Sequence, residues 1–273
     1  MSLVQRWSFC LTGTCRGLAF SLALGAAVAP SRISAQTLMQ PTDPLPKVAN
    51  APAKPPRPPA KLIYLSTDFL ANPAVVMPAP AKPESPEGRN ELAAVKAMQA
   101  SATPERIALA AADDKNETVW FFADILPGFE ESKLPKTDAL FKAARNDENF
   151  EAGAFKLHFA RLRPFDVDHS IKTCVPTVYN GARASYPSGH ATLGYSLGMI
   201  LAYLIPEKGD AIMARAKIYG ENRVICGVHF PSDIVASQAL GTAAALEMMR
   251  NPEFKKAFAA AKTELIAAGF TKQ

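Results

Sequence analysis

Apolar residues recur at helical spacing from about residue 90 to the C-terminus, and no convincing strand-like alternation interrupts them. The spacing predicts a helix over 91–102 capped by Asn90. A second is predicted over 104–114, with Thr103 as cap and Pro104 in the first turn. Residues 117–126 are strongly apolar (V-W-F-F-A-D-I-L at their centre) and are stopped by Pro127-Gly128. Thr137 is placed to cap a long helix over 138–162, and Ser188 one over 189–205 that Pro206 ends. Residues 210–226 follow, with Gly227 as a C-terminal cap; Pro231 opens a helix reaching 249, and 252–268 makes the last. The pattern predicts an all-α fold, a single helical-bundle domain over 61–273 whose first ten residues begin the ordered structure. The runs 191–205 and 234–249 are apolar enough to suggest membrane spans, but each falls short of the ~20 residues a span needs. Central helices of a bundle explain them better.

The N-terminal pattern is different. Arg6 and Arg16 flank or precede the apolar run G-L-A-F-S-L-A-L-G-A-A-V-A at 17–29, the arrangement of a secretory signal peptide, with cleavage expected after Ala35. Residues 36–60 are proline-rich and too poor in apolar side chains to pack, so they read as an extended lead-in. Export to the periplasm or outside the cell is the expected localisation. Taking Arg6, Arg16 and Arg32 from 30 basic residues, against 25 acidic ones, leaves a net charge of +2. Such a near-neutral chain gives no reason to expect a nucleic-acid partner, and after cleavage no stable membrane association is expected. Two cysteines then remain, Cys174 and Cys226, and an even pair in an exported chain is a disulfide candidate.

Candidate chemistry is concentrated between 156 and 233, in K-L-H-F-A-R-L-R-P (156–164), Y-P-S-G-H (186–190) and N-R-V-I-C-G-V-H-F-P-S-D (222–233). Lys156 and Arg163 lie seven apart, two helical turns, and are expected to project from one helix face. Ser188 and Gly189 open a helix whose unpaired N–H groups suit an anion, with the Ser188 hydroxyl as an added donor. His229 precedes Asp233 by four residues, so the carboxylate can fix the imidazole tautomer and free the other ring nitrogen to attack. His190 can protonate a departing oxygen, while Arg223 joins Lys156 and Arg163 as a third cation for a phosphate dianion. Each island alone has an ordinary structural explanation; the three in this order do not.

The order K-x6-R-P, P-S-G-H, R-x5-H-x3-D resembles the signature of the type 2 phosphatidic-acid phosphatase superfamily. R-V-I-C-G-V-H-F-P-S-D and S-Y-P-S-G-H are similar to the wording of its bacterial class A non-specific acid phosphatases. The resemblance implies metal-independent hydrolysis of phosphate monoesters, with no cofactor, through a phosphohistidine at His229 oriented by Asp233. His190 would be general acid and then base, and Lys156, Arg163, Ser188, Gly189 and Arg223 would hold the phosphoryl oxygens. It further implies a mildly acidic optimum, some phosphotransferase activity and a homo-oligomer. One position departs: the family usually has Ser where this chain has Asn222, which can still donate to phosphate or support Arg223. His158 and His169 match no motif position and read as structural. Residues 72–80 and 120–129 are expected to rim the cleft.

Rival readings use parts of the same set. A vanadate-dependent haloperoxidase would hold vanadate at His229, and a non-catalytic periplasmic phosphate-binding protein would need only the cations and the helix start. Asp166-Val167-Asp168 suggests an aspartate-nucleophile phosphatase, but that motif needs an apolar strand before it, which R-L-R-P-F is not. A membrane lipid phosphatase would need several true spans.

Overall fold

Eight α-helices and three short 3-10 turns make up the computed structural model, which describes residues 61–69, 77–177 and 182–272. No strand occurs among these residues. The signal peptide, its cleavage point, the lead-in to residue 60 and residues 70–76 lie outside the described residues. The helices are α1 (Pro86–Ser101), α2 (Pro104–Asp113), α3 (Pro135–Phe159), α4 (Pro164–Val167), α5 (Gly189–Leu204), α6 (Gly209–Ile225), α7 (Pro231–Met248) and α8 (Pro252–Ala267). No described helix is long and apolar enough to cross a membrane.

Helix α5 is the centre of the bundle because it is apolar nearly all round, and a helix of that kind is stable only when enclosed. Leu193, Leu197, Ile200, Leu201 and Leu204 are almost wholly buried, each worth roughly 1.5–3 kcal/mol of apolar burial. Helices α6 and α7 enclose it on two sides and α3 on another. The crossing with α7 is backbone-close: a Cβ at Gly241 would stand 2.4 Å from the Thr192 carbonyl oxygen. Only a residue without a side chain lets the two helices meet there.

Several helix starts differ from the sequence pattern. Helix α1 begins four residues before the capping position expected at Asn90; Ser85 is the cap and accepts from the Gly88 amide at 3.1 Å. Helix α3 begins at Pro135 rather than beyond Thr137. Its early amides are bonded from a distance: Glu264 of α8 accepts from the Lys136 and Thr137 amides and the Thr137 hydroxyl at 2.8–2.9 Å. A carboxylate that does this replaces a local cap. The stretch 117–126 winds only as a 3-10 turn, Val119–Asp124, capped by Thr118. Residues 61–69 form turns and no helix. They are fastened by buried Asp147 of α3, which accepts from the amides of Ile63, Tyr64 and Leu65 at 2.6–3.1 Å. Cys174 and Cys226 are disulfide-bonded, Cα–Cα 4.6 Å, and fasten the segment after α4 to the end of α6.

Candidate active site

The link between α6 and α7 is short, and its turn sets everything else. Gly227, with φ +69, ends α6 in the left-handed conformation, with its amide on the Val224 carbonyl at 2.8 Å and that of Val228 on Arg223 at 3.1 Å. His229 then enters the interior, only 1% exposed. Its Nδ1 lies 3.1 Å from Oδ2 of Asp233, one turn into α7. Oδ2 also accepts from the Phe230 amide at 2.9 Å and the Ser185 hydroxyl at 2.5 Å, while Oδ1 accepts from Arg161 at 2.6 Å. A carboxylate so surrounded only accepts, so Nδ1 carries the imidazole proton and Nε2 keeps its lone pair. Arg163 Nη1 sits 3.3 Å from that Nε2 and donates to the Val228 carbonyl at 3.0 Å.

Lys156 and Arg163 converge on this point by a different route from the expected helix face. Helix α3 stops at Phe159, and Ala160, at φ +47, turns the chain; Arg163 stands just before α4. Lys156, in the last turn of α3, donates to the carbonyls of Ala184 (2.8 Å) and Pro187 (2.5 Å), against the start of α5. A Cβ at Gly189 would lie 3.8 Å from its Cε. Ser188 caps α5: its hydroxyl oxygen accepts from the Ala191 amide at 3.3 Å, and its own amide donates to Ser237 at 2.8 Å. The Gly189 and His190 amides have no intrahelical partner at this position.

His190 stacks on Tyr219 with ring centroids 5.9 Å apart, and its Nε2 donates to the Asp114 carbonyl at 3.2 Å. Glu117 Oε1 is 3.4 Å from the same nitrogen. Arg223 is buried with Nη1 2.7 Å from Asp114 Oδ1, and its Nε has no hydrogen-bond partner among the described residues.

The electrostatics follow from three cations and two imidazoles crowded out of water. Burial pushes His229 well below the ordinary imidazole range, helped by Arg163, Lys156, Arg223 and His190. Burial and then Arg163 bring Lys156 down to about 7, and burial and then Arg223 bring Arg163 down to about 10. Burial and Arg223 lower His190 to about 4, against the pull of the Asp114 carbonyl and Glu117. Burial is the first cause of each shift and repulsion among the positive charges the second, and an anion in the site would relieve the repulsion. His229 is therefore harder to protonate than an ordinary imidazole.

Residues 148–256, which include all three islands, match the PAP2 superfamily. The chain is 35% identical over 135 residues to an acid phosphatase of Zymomonas mobilis, a match covering 49% of this chain and 51% of that protein. Over 111 residues it is 35% identical to a non-specific acid phosphatase of Providencia stuartii, covering 40% and 44%. Over 119 residues it is 34% identical to one of Salmonella typhimurium, covering 42% and 47%. The chain spans about half the length of the curated relatives it matches.

Two layers around this site are not marked by the motifs. Behind Asp233, Arg161 bonds Asp233, Ser232 (2.8 Å) and Glu91 (2.5 Å), and its guanidinium lies 3.9 Å over the Phe230 ring. Its side chain is 4% exposed, so this charge belongs to the interior and not to the solvated surface. Its spacing carried no signal, because the chain turns between it and Lys156. In front, Asp114 and Glu117 come from a loop outside the matched stretch. Asn222 donates to Asp113 at 2.6 Å, and Asp113 is gripped by Arg215 through both oxygens. Its amide nitrogen therefore ties α6 to α2. The large apolar side chains Phe121, Phe122, Leu126 and Phe129 of the 120–129 stretch are buried in the core rather than set on a rim. His158 is exposed and packs edge-on to Phe159, and His169 is exposed. Among the described residues no group of three or more His, Cys, Asp or Glu is arranged to hold a metal ion.

Proposed function

We propose that this chain is an acid phosphatase that hydrolyses phosphate monoesters through a phosphohistidine on His229. The observation that carries the reading is the pair of contacts on that ring, with Asp233 at Nδ1 and a cation at Nε2. Nε2 attacks phosphorus as the ester oxygen departs, and protonated His190 gives that oxygen its proton. Lys156, Arg163, Arg223 and the Gly189 and His190 amides take up the charge on the phosphoryl oxygens, which is greatest in the transition state. Neutral His190 then takes a proton from water, whose oxygen attacks phosphorus and breaks the P–N bond. An alcohol in place of water gives phosphotransfer by the same step.

A bound dianion offsets the repulsion that Arg223 exerts on His190 and so favours the proton the first step needs. The lowered basicity of His229 supports work in acid, where an ordinary imidazole is more readily protonated and lost as a nucleophile. Similarity to proteins named acid phosphatases supports the same reading. The disulfide supports an oxidising compartment, the periplasm or the exterior.

The test is to trap an acid-labile phosphoprotein from a labelled monoester and map it. Label at His229, lost in His229→Ala, is expected. Turnover that survives both His229→Ala and His190→Ala overturns the assignment, as does bromide oxidation with vanadate and peroxide in protein that leaves p-nitrophenyl phosphate intact.

A further inference from the structure

Glu148 is a wholly buried acid that nothing so far explains. It lies on α3, two turns before Lys156, with no exposed surface. Neither carboxyl oxygen has a hydrogen-bond partner among the described residues. A buried carboxylate without donors is strongly disfavoured, and an apolar side chain of similar length would suit the packing better. Residues that break the packing rule in this way cluster at functional sites.

Its surroundings tie it to the phosphate end of the molecule. Lys156 and Arg145 of α3 act on it with positive charge, and Glu117, from the loop before the first 3-10 turn, with negative charge. Tyr219 of α6 is close enough for Glu148 to disfavour its ionisation. From α5 comes His190, which meets both Glu117 and the Tyr219 ring. Asp233 of α7 enters through Lys156, on which both carboxyls act. Arg145 binds Glu117 at 2.8 Å. Glu148 thus lies among charges that bear on the anion site.

We propose that Glu148 must carry its proton for the site to hold phosphate, and that its ionisation as pH rises closes the alkaline side of the enzyme's working range. This rests on the phosphatase reading above. With the carboxyl neutral, the positive charge of Lys156 is offered undivided to the phosphoryl oxygens. Once the carboxyl ionises, Glu148 and Lys156 cancel, and a negative charge stands behind a dianion. Burial holds the carboxyl well above its ordinary range, with Glu117 adding to the effect and Lys156 and Arg145 opposing it. The neutral form therefore persists well past the pH at which an exposed glutamate ionises.

The experiment compares wild type with Glu148→Gln, which has the same shape and is neutral at every pH. Two pH profiles are measured: kcat/KM for p-nitrophenyl phosphate, and the affinity for inorganic phosphate by calorimetry. The expected result is that both profiles match in acid, while the alkaline fall of Glu148→Gln moves up by about one pH unit. The variant is then about tenfold better than wild type on the alkaline flank. An unmoved flank overturns the proposal. So does one moved to lower pH, because removing a nearby negative charge makes Lys156 lose its own proton earlier. Should Glu148→Gln fail to fold, Glu148→Met gives the same comparison. Wild type that neither binds phosphate nor cleaves the ester overturns the phosphatase reading itself. Wild type that does both, with a flank indifferent to position 148, overturns only the part given to Glu148.

Discussion

Replacing Arg161 by methionine removes one cation from between two acids while keeping a side chain of similar length. In the native protein the guanidinium meets Asp233 at 2.6 Å and Glu91 at 2.5 Å, with side-chain exposures of 4% for the arginine and 0% for Asp233. The pair to Asp233 is fully desolvated, so its loss leaves a bare buried charge, and such losses cost about 3–5 kcal/mol. Methionine recovers part of the contact with Phe230, which keeps the expected value near about 4 kcal/mol. For a domain of this size each kcal/mol lowers Tm by about 2–4 °C, so a fall of about 8–16 °C is expected in a thermal melt. Arg161→Lys retains the charge but cannot span Asp233, Ser232 and Glu91 together, and should lose about half as much. Activity provides the second measure. Asp233 without its Oδ1 anchor holds the His229 tautomer less firmly, so kcat should fall more than KM rises. A loss under about 1 kcal/mol, the worth of an exposed pair, would refute the burial argument. Normal destabilisation with unchanged kcat would refute the link from Arg161 to His229.

Two further outcomes follow from the interior. The disulfide spans 52 residues, and its removal in Cys174→Ala/Cys226→Ala should cost about 4 kcal/mol by loop-closure entropy, measured by urea unfolding. Glu151 is raised to about 7 by burial and then by Asp147, so the folded chain holds its proton more tightly than the unfolded chain. Stability should therefore fall as pH rises from about 4.5 to about 7. Glu151→Gln should leave Tm unchanged at low pH and raise it above neutrality; a parallel offset at all pH values would refute the attribution.

Helix order and most caps were legible in the sequence because they are local: Thr103, Ser188 and Gly227 act within a turn of themselves. Helix starts were misread where the partner is distant in the chain, as with Glu264 holding the first amides of α3. The site divides in the same way. Residues fixed by motif spacing, from Lys156 to Asp233, are brought together, although Arg163 arrives through the turn at Ala160 and not through helical periodicity. Glu91, Asp114, Glu117 and Glu148 had no local signature. An acid on a helix or loop has the same one-letter appearance whether it faces water or a guanidinium, and only the packing separates the two.

Four donors from three parts of the chain converge on the two oxygens of Asp233: the His229 ring, the Phe230 amide, the Ser185 hydroxyl and the Arg161 guanidinium. Asparagine would offer one oxygen and a donating NH2, so whichever way its amide turned, an N–H would confront another N–H or O–H. Glutamate would carry its carboxyl a bond length too far from the helix, and alanine would strand all four donors. Position 233 thus admits a single solution among the twenty side chains. An evolving chain could change that residue only by rebuilding all four neighbours at once.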